Sequence, residues 1–207
     1  MQELLSAVRR LRKGVVRKLV DSRMKEFESN GCKSSSLVFN ELCFCILTAN
    51  FNAERAIVIQ KEIGNGFLTL PGNQLAGRLK KMGYRFPNTR AKYIVEARRH
   101  VKNLKKILSS LKGVELRGWF VKNVKGLGLK EASHFLRNIG FKDYAIIDFH
   151  IVDLLVKYGL AEKPESMSKK SYLAIEKTLR KIARKLEMTL AELDLYLWFM
   201  ETGKVLK

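Results

Sequence analysis

The chain is 207 residues long, enough for one large domain or two small ones, and its 40 Lys plus Arg against 20 Asp plus Glu leave a formal charge of +20. So large an excess costs self-repulsion on folding and points to a polyanionic partner: nucleic acid first, with an anionic membrane surface or a ribosomal-type basic tail as the alternatives. With 46% hydrophobic and 9% aromatic residues the chain can bury a core, which excludes a disordered protein; no apolar run is longer than Leu42 to Leu47, far short of the roughly 20 residues a bilayer-spanning helix needs.

Apolar residues recur at helical spacing almost throughout, with only Pro71, Pro87 and Pro164 to interrupt them, and this predicts a nearly all-α fold. From Leu4 through Val8, Leu11, Val15 and Leu19 to Phe27 an apolar stripe steps by three or four among Arg9, Arg10, Arg12, Lys13, Arg17 and Lys18. It predicts one long basic helix, stopped at Asn30-Gly31. Ser34 to Ser36 supply N-cap candidates for a more buried helix through Leu42 and Leu47. Thr48 to Asn52 breaks the pattern, Ala53 to Ile63 resumes it, and Gly64-Asn65-Gly66 ends it. Asn73 to Met82 is a short helix closed by Gly83; Tyr84 to Asn88 is a loop carrying Arg85 and Phe86; Thr89 to Leu108 is a helix bearing Arg98, Arg99, Lys102, Lys105 and Lys106. A further helix precedes Val124, another covers Lys130 to Ile139, and Tyr144 to Ile147 reads as extended. Asp148 stands at the N-cap of a helix from Phe149 to Tyr158, and Ser168 opens a basic helix to Leu186. Thr189-Leu190-Ala191-Glu192 is a capping box for a last apolar helix to Thr202, ended by Gly203. No repeat, linker or shift of composition divides the chain, so residues 1–207 are expected to form a single unit of two helical lobes.

Three cysteines, Cys32, Cys43 and Cys45, lack CxxC spacing and argue for a reducing compartment and against a zinc or redox site. His100, His134 and His150 are scattered and suggest no metal cluster. Met1 to Ala7 does not read as a signal peptide, so a cytoplasmic protein is expected. The chemistry must come from other groups.

The sharpest local feature is Val124-Lys125-Gly126-Leu127-Gly128-Leu129-Lys130, a GxG turn between two helical stretches. Two glycines allow a tight hairpin with bare N–H groups beside a helix N-terminus, a ready phosphate site, although a lone GxG is also a plain turn. Lys130 falls in the first turn of the following helix, where the dipole disfavours an ammonium. It is either one solvated lysine among many or an amine kept neutral enough to act as a nucleophile. Asp148 follows the apolar Ala145-Ile146-Ile147 and emerges from the core as an N-cap, a role compatible with a chemical one.

Gly-Leu-Gly-Leu-Lys130, with Ile-Ile-Asp148-Phe-His150 18 residues beyond the lysine, resembles the helix-hairpin-helix DNA glycosylase superfamily. The hairpin motif then spans about residues 118–140. The resemblance implies that Lys130 attacks the anomeric carbon, displaces a damaged base and forms a Schiff base that undergoes β-elimination, with Asp148 stabilising the oxocarbenium charge and assisting proton transfer. It implies that Asn50 or Asn52, in Leu47-Thr48-Ala49-Asn50-Phe51-Asn52, fills the gap left by an extruded nucleotide. Arg85 and Phe86 would probe and wedge the opposite strand, against the alternative of a surface arginine and a buried plug.

Within that superfamily the length and the ending Thr202 to Lys207 are similar to the compact archaeal and thermophilic class of 8-oxoguanine DNA glycosylase/AP lyases. There the terminal carboxylate reads the hydrogen that oxidation adds to the imidazole ring of the base, which would make Lys207 a recognition group and the helix and tail at about residues 190–207 the lesion pocket. Trp198 and Asp194 share a face of that helix, and His134 lies one turn after Lys130; these are the other pocket candidates, with core packing as the alternative for Trp198 and His134. The partner implied is double-stranded DNA containing 8-oxoguanine, bound by a monomer. No cofactor is required, though a monovalent cation at the hairpin is compatible. Iron–sulfur members carry four cysteines near the C-terminus and this chain has none after Cys45. The rivals are a bifunctional glycosylase for another oxidised base and a non-catalytic helix-hairpin-helix DNA-binding protein.

Overall fold

The apolar periodicity becomes thirteen α-helices in a computed structural model that describes residues 1–207. They are α1 (Gln2–Lys13), α2 (Val15–Cys32), α3 (Ser35–Thr48), α4 (Ala53–Ile63), α5 (Gly66–Thr69), α6 (Gly72–Lys81) and α7 (Pro87–Ala97). A 3₁₀ segment, Arg98–Asn103, leads to α8 (Leu104–Ser110), α9 (Gly113–Asn123), α10 (Leu129–Asn138), α11 (Phe149–Lys157), α12 (Lys169–Leu186) and α13 (Leu190–Thr202). None is long and apolar enough to cross a membrane.

The apolar side chains separate into two cores. One gathers residues of α3 to α10 around Phe39, Phe44, Phe120 and Phe135. The other joins the two ends of the sequence, α1 and α2 with α11, α12 and α13, around Phe27 and Tyr172. Several buried links tie the lobes, and two of them are made by α9 and by the segment after α10. Arg117 of α9 makes a two-pronged ion pair with Glu176 of α12, at 2.9 and 2.8 Å, with both side chains almost wholly inside. Tyr144 to Ile147 forms the second: Tyr144 packs in the first core, while Ala145 and Ile147 pack in the second. This stretch is extended, as its β-branched residues suggest, but has no partner strand. Its backbone is satisfied by side chains instead, with Ala145 N–H donating to Glu176 Oε1 (3.3 Å) and Tyr172 Oη–H donating to Ala145 O (2.7 Å).

Two expectations about the N-terminal helix are corrected. The predicted single helix breaks at Gly14, whose backbone is extended, so that α1 can lie over the end of α12, where Arg12 donates to Leu186 O at 2.8 Å. Gly31 does not stop α2, which runs to Cys32. A β-carbon at Gly31 would stand 2.2 Å from the Ile139 carbonyl oxygen, so glycine there permits backbone contact with the end of α10. Similarly, the helix expected from Thr89 to Leu108 is α7, the 3₁₀ segment and α8 in succession. Asp148, Ser168 and Thr189 cap their helices as expected, each accepting a hydrogen bond from the first turn. Ser34 stands at the N-cap of α3 but its side chain makes no capping hydrogen bond, whereas Asn52, not singled out as a cap, accepts from the first turn of α4.

Candidate active site

The hairpin between α9 and α10 is pinned to both cores: Leu127 is buried in the first, and Leu129 packs against the second. Its two glycines do different work. Gly126 has φ +87°, and a β-carbon there would meet Tyr93 Cδ2 at 2.6 Å. Gly128 is extended, and its N–H is not bare as expected but donates to Glu131 Oε2 at 3.0 Å, closing the start of α10. The first-turn N–H groups of Leu129 and Lys130 make no hydrogen bond within the chain.

Lys130 is thereby fixed as the second residue of α10. Its side chain is a quarter exposed, with Nζ 3.9 Å from Glu131 Oε1. Asp148 reaches the same space from the start of α11, where its Oδ1 accepts the Ile151 N–H at 3.1 Å and Oδ2 takes no hydrogen bond. Between them opens a cleft of about 850 Å³ that draws its walls from both lobes.

Eight of the site residues expected from sequence line this one cleft: Lys130, Asp148, His134, Asp194, Trp198, Lys207, Asn50 and Asn52. Asn50 is exposed in a left-handed turn (φ 57°), while Asn52 is also engaged as the cap of α4, accepting from Arg55 N–H at 3.0 Å. Gly126, Gly128, Arg85 and Phe86 lie outside the cleft lining. Phe86 is 44% exposed just before α7, so it does not plug the lobe, and the Arg85 guanidinium stacks 4.9 Å from its ring centroid.

The far wall is electrostatically tight. Asp194 is buried and pairs with Arg137, which also donates to Asn138 Oδ1 at 3.0 Å and lies 4.8 Å over the Phe27 ring. Burial raises the Asp194 carboxyl to about 6; the Arg137 charge opposes that shift and the Asp148 carboxylate adds to it. His134 is held neutral, well below the ordinary histidine range, first by burial and then by the charges of Arg137 and Lys130. Both its ring nitrogens, and Nε1 of Trp198, are buried with no hydrogen-bond partner in the chain; the Lys207 backbone approaches His134 without hydrogen-bond geometry. Trp198 meets the His150 ring edge-on at 5.1 Å, and His150 stacks 4.0 Å from Phe149, which is 66% exposed at the cleft mouth. Lys207 is docked: its Nζ donates to Glu41 at 2.9 and 3.1 Å, and Leu206 beside it lines the cleft.

Sequence reasoning missed Arg137, Glu131, Phe149, Met167 and Glu41. Arg137 and Glu131 look like ordinary surface charges on α10. Glu41 carried a readable signal, a carboxylate set among Val38, Phe39 and Leu42 to Leu47.

The sequence pattern of the 8-oxoguanine DNA glycosylase family matches residues 20–188, most of the chain. The chain belongs to this family. The 8-oxoguanine DNA glycosylase/AP lyase of Korarchaeum cryptofilum is 52% identical over 209 residues, covering 100% of this chain and 99% of that relative. The family member of the same description from Methanocaldococcus jannaschii is 50% identical over 206 residues, with 99% of each chain covered. Among solved structures, the Methanocaldococcus jannaschii 8-oxoguanine glycosylase/lyase in complex with a 15mer DNA containing 8-oxoguanine matches with a TM-score of 0.95 at 48% identity. That match covers 99% of this chain and 100% of the other. The 8-oxoguanine DNA glycosylase of Thermotoga maritima matches with a TM-score of 0.93 at 44% identity, over 100% and 99%. This chain is all-helical, with the hairpin at the cleft between two lobes, and shares its fold with these structures.

Proposed function

We propose that this protein is a base-excision repair enzyme that extrudes 8-oxoguanine from double-stranded DNA, excises it through a Schiff base on Lys130, and nicks the resulting abasic strand. The observation that carries the reading is the convergence of Lys130 and Asp148, from two helix N-termini, on one cleft of a size suited to a single extruded nucleotide.

The chemistry balances with groups the chain supplies. The neutral amine of Lys130 forms a bond to C1′ as the glycosidic bond breaks, and the base leaves with its electron pair and takes up a proton. Asp148, with one oxygen held by the Ile151 N–H and the other free, faces the positive charge that develops on the sugar. Opening of the sugar ring gives the imine, removal of a C2′ proton expels the 3′ phosphate, and water returns the lysine. No cofactor is needed for any of these steps.

The base enters between the orphaned polar atoms and aromatic faces of the inner wall. His134 and Trp198 offer buried nitrogens without partners, Phe149 and Trp198 offer ring surface, and Lys207 closes the end. Asn50 is exposed at the cleft and suited to the gap left by the extruded nucleotide, Arg85 and Phe86 are exposed outside it and suited to the opposite strand, and the excess positive charge grips phosphates regardless of sequence. Both lobes that wall the cleft are built within a single polypeptide, and we read the protein as acting as a monomer in the cytoplasm, where DNA is at hand.

Incubation with an 8-oxoguanine:C duplex and borohydride tests the reading. A covalent protein–DNA adduct is expected, and it is expected to vanish in Lys130→Gln. No adduct with the unsubstituted protein would overturn the lyase; an adduct formed faster on an oxidised-pyrimidine duplex would overturn the substrate.

A further inference from the structure

Glu41 interrupts a stretch of α3 in which Val38, Phe39 and every residue from Leu42 to Leu47 are fully buried, and it is itself 8% exposed. A carboxylate in such a place is costly unless it is paired and hydrogen-bonded. It has donors from three segments: Gln60 of α4 at 3.0 Å, Asn138 of α10 at 3.5 Å, and Lys207 at 2.9 and 3.1 Å. Only Lys207 brings a positive charge, and its Nζ also lies 4.6 Å over the Phe44 ring.

The segment after α13 has no helical hydrogen bonds of its own and is tied to the first lobe at two points. The Lys204–Glu54 pair is about half exposed on both sides, so it holds the segment weakly; the Lys207–Glu41 pair is 11% exposed on both sides and is the effective anchor. Lys207 and Glu41 also border a second cavity of about 400 Å³, and of the two only Lys207 lines the cleft as well, so Lys207 stands between the two spaces. Without the pairing to Glu41, Lys207 has room to withdraw from the base pocket. Asn138 then relays the same carboxylate to Arg137, and through it to Asp194 on the opposite wall.

We propose that Glu41 is a positioning residue for lesion recognition: by holding the Lys207 ammonium it fixes Lys207 against the base pocket and keeps the pocket closed at that end. The proposal rests on the reading of Lys207 as part of the base pocket. Glu41 does not itself line the cleft, so on this proposal its effect is confined to the step in which a base occupies the pocket.

The test compares excision from an 8-oxoguanine:C duplex with nicking of a preformed abasic site, which presents no base, for Glu41→Gln, Lys207→Met, their double variant, and a chain lacking Lys207. Glu41→Gln is expected to lower excision on the order of 10- to 100-fold, chiefly through KM, and to leave abasic-site nicking unchanged. Lys207→Met is expected to match it, and the double variant to be no worse than the poorer single, because both remove one interaction. Unchanged excision in Glu41→Gln, or a parallel fall in excision and nicking, overturns the proposal. Normal excision in Lys207→Met alongside impaired Glu41→Gln overturns it too, because Glu41 would then act by another route. If the chain lacking Lys207 excises normally, the pocket reading fails together with the proposal; if that chain is impaired while Glu41→Gln is not, the proposal fails alone.

Discussion

At one end of the cleft Lys130 and Asp148 stand in the first turn or cap of their helices, partly open to solvent and held by few partners. At the other end Asp194, Arg137, Glu41 and Lys207 are buried and engaged in ion pairs that join α3, α10, α13 and the final segment. The two ends hold comparable side chains under opposite conditions. On the proposed roles the contrast is functional: an amine and a carboxylate that react must be reached by a sugar and exchange protons, which suits groups placed by the backbone with their outer atoms free. A wall proposed to distinguish one base from another must not move, which suits charges fixed against each other at the expense of desolvation. Substitutions at the first end should therefore cost turnover while sparing stability, and substitutions at the second should cost both.

The largest effect belongs to the reaction end. Lys130→Gln is expected to reduce excision by at least ~10³-fold in single-turnover assays while the thermal midpoint stays close to that of the unsubstituted protein. Asp148 sharpens the contrast because it has a second, structural role as the cap of α11. Asp148→Asn keeps a capping oxygen and removes the charge, so excision should fall about 10²-fold or more with little change in stability. Asp148→Ala should lose a similar amount of activity and also about 1 kcal/mol of stability in urea unfolding. Equal destabilisation by both variants would break the separation of roles.

At the recognition end, Arg137→Met strands the buried Asp194 carboxylate and is expected to cost about 3–5 kcal/mol of unfolding free energy, alongside weaker excision. A smaller effect comes from pH. The Asp194 carboxyl is raised from 3.8 to about 6 in the folded chain, so between these values the folded state binds more protons than the unfolded one. The contribution of this group to stability therefore falls as pH rises through that window. Thermal midpoints from pH 4 to 7 should show the unsubstituted protein losing ground to Asp194→Asn as pH rises; parallel profiles would mean that burial does not govern this carboxyl.

The two ends also differed in how far they could be read from sequence. The reaction end is local: GxG, a lysine in the first helical turn and a capping aspartate lie within 23 residues, from Gly126 to Asp148, and helical spacing fixes their directions. The recognition end is assembled from distant segments. Asp194 signalled that it needed a partner, but Arg137 is 57 positions away, and Glu41 meets a lysine 166 positions away. Backbone proximity was equally hidden. Gly31 resembled a helix stop because its actual reason, contact with the Ile139 carbonyl, is visible only once α2 and α10 are packed. The break at Gly14 likewise answers to the end of α12, more than 170 residues on. Periodicity and caps report what a residue does to its own helix, and they are silent on what another helix asks of it.

On the proposed mechanism one amine among many, Lys130, performs the reaction, and the position of the borohydride adduct identifies it. Mass spectrometry of the digested, reduced complex with 8-oxoguanine duplex is expected to place the sugar remnant on Lys130. A remnant on Lys125, on Lys204 or on the N-terminal amine would show that Lys130 is not the nucleophile.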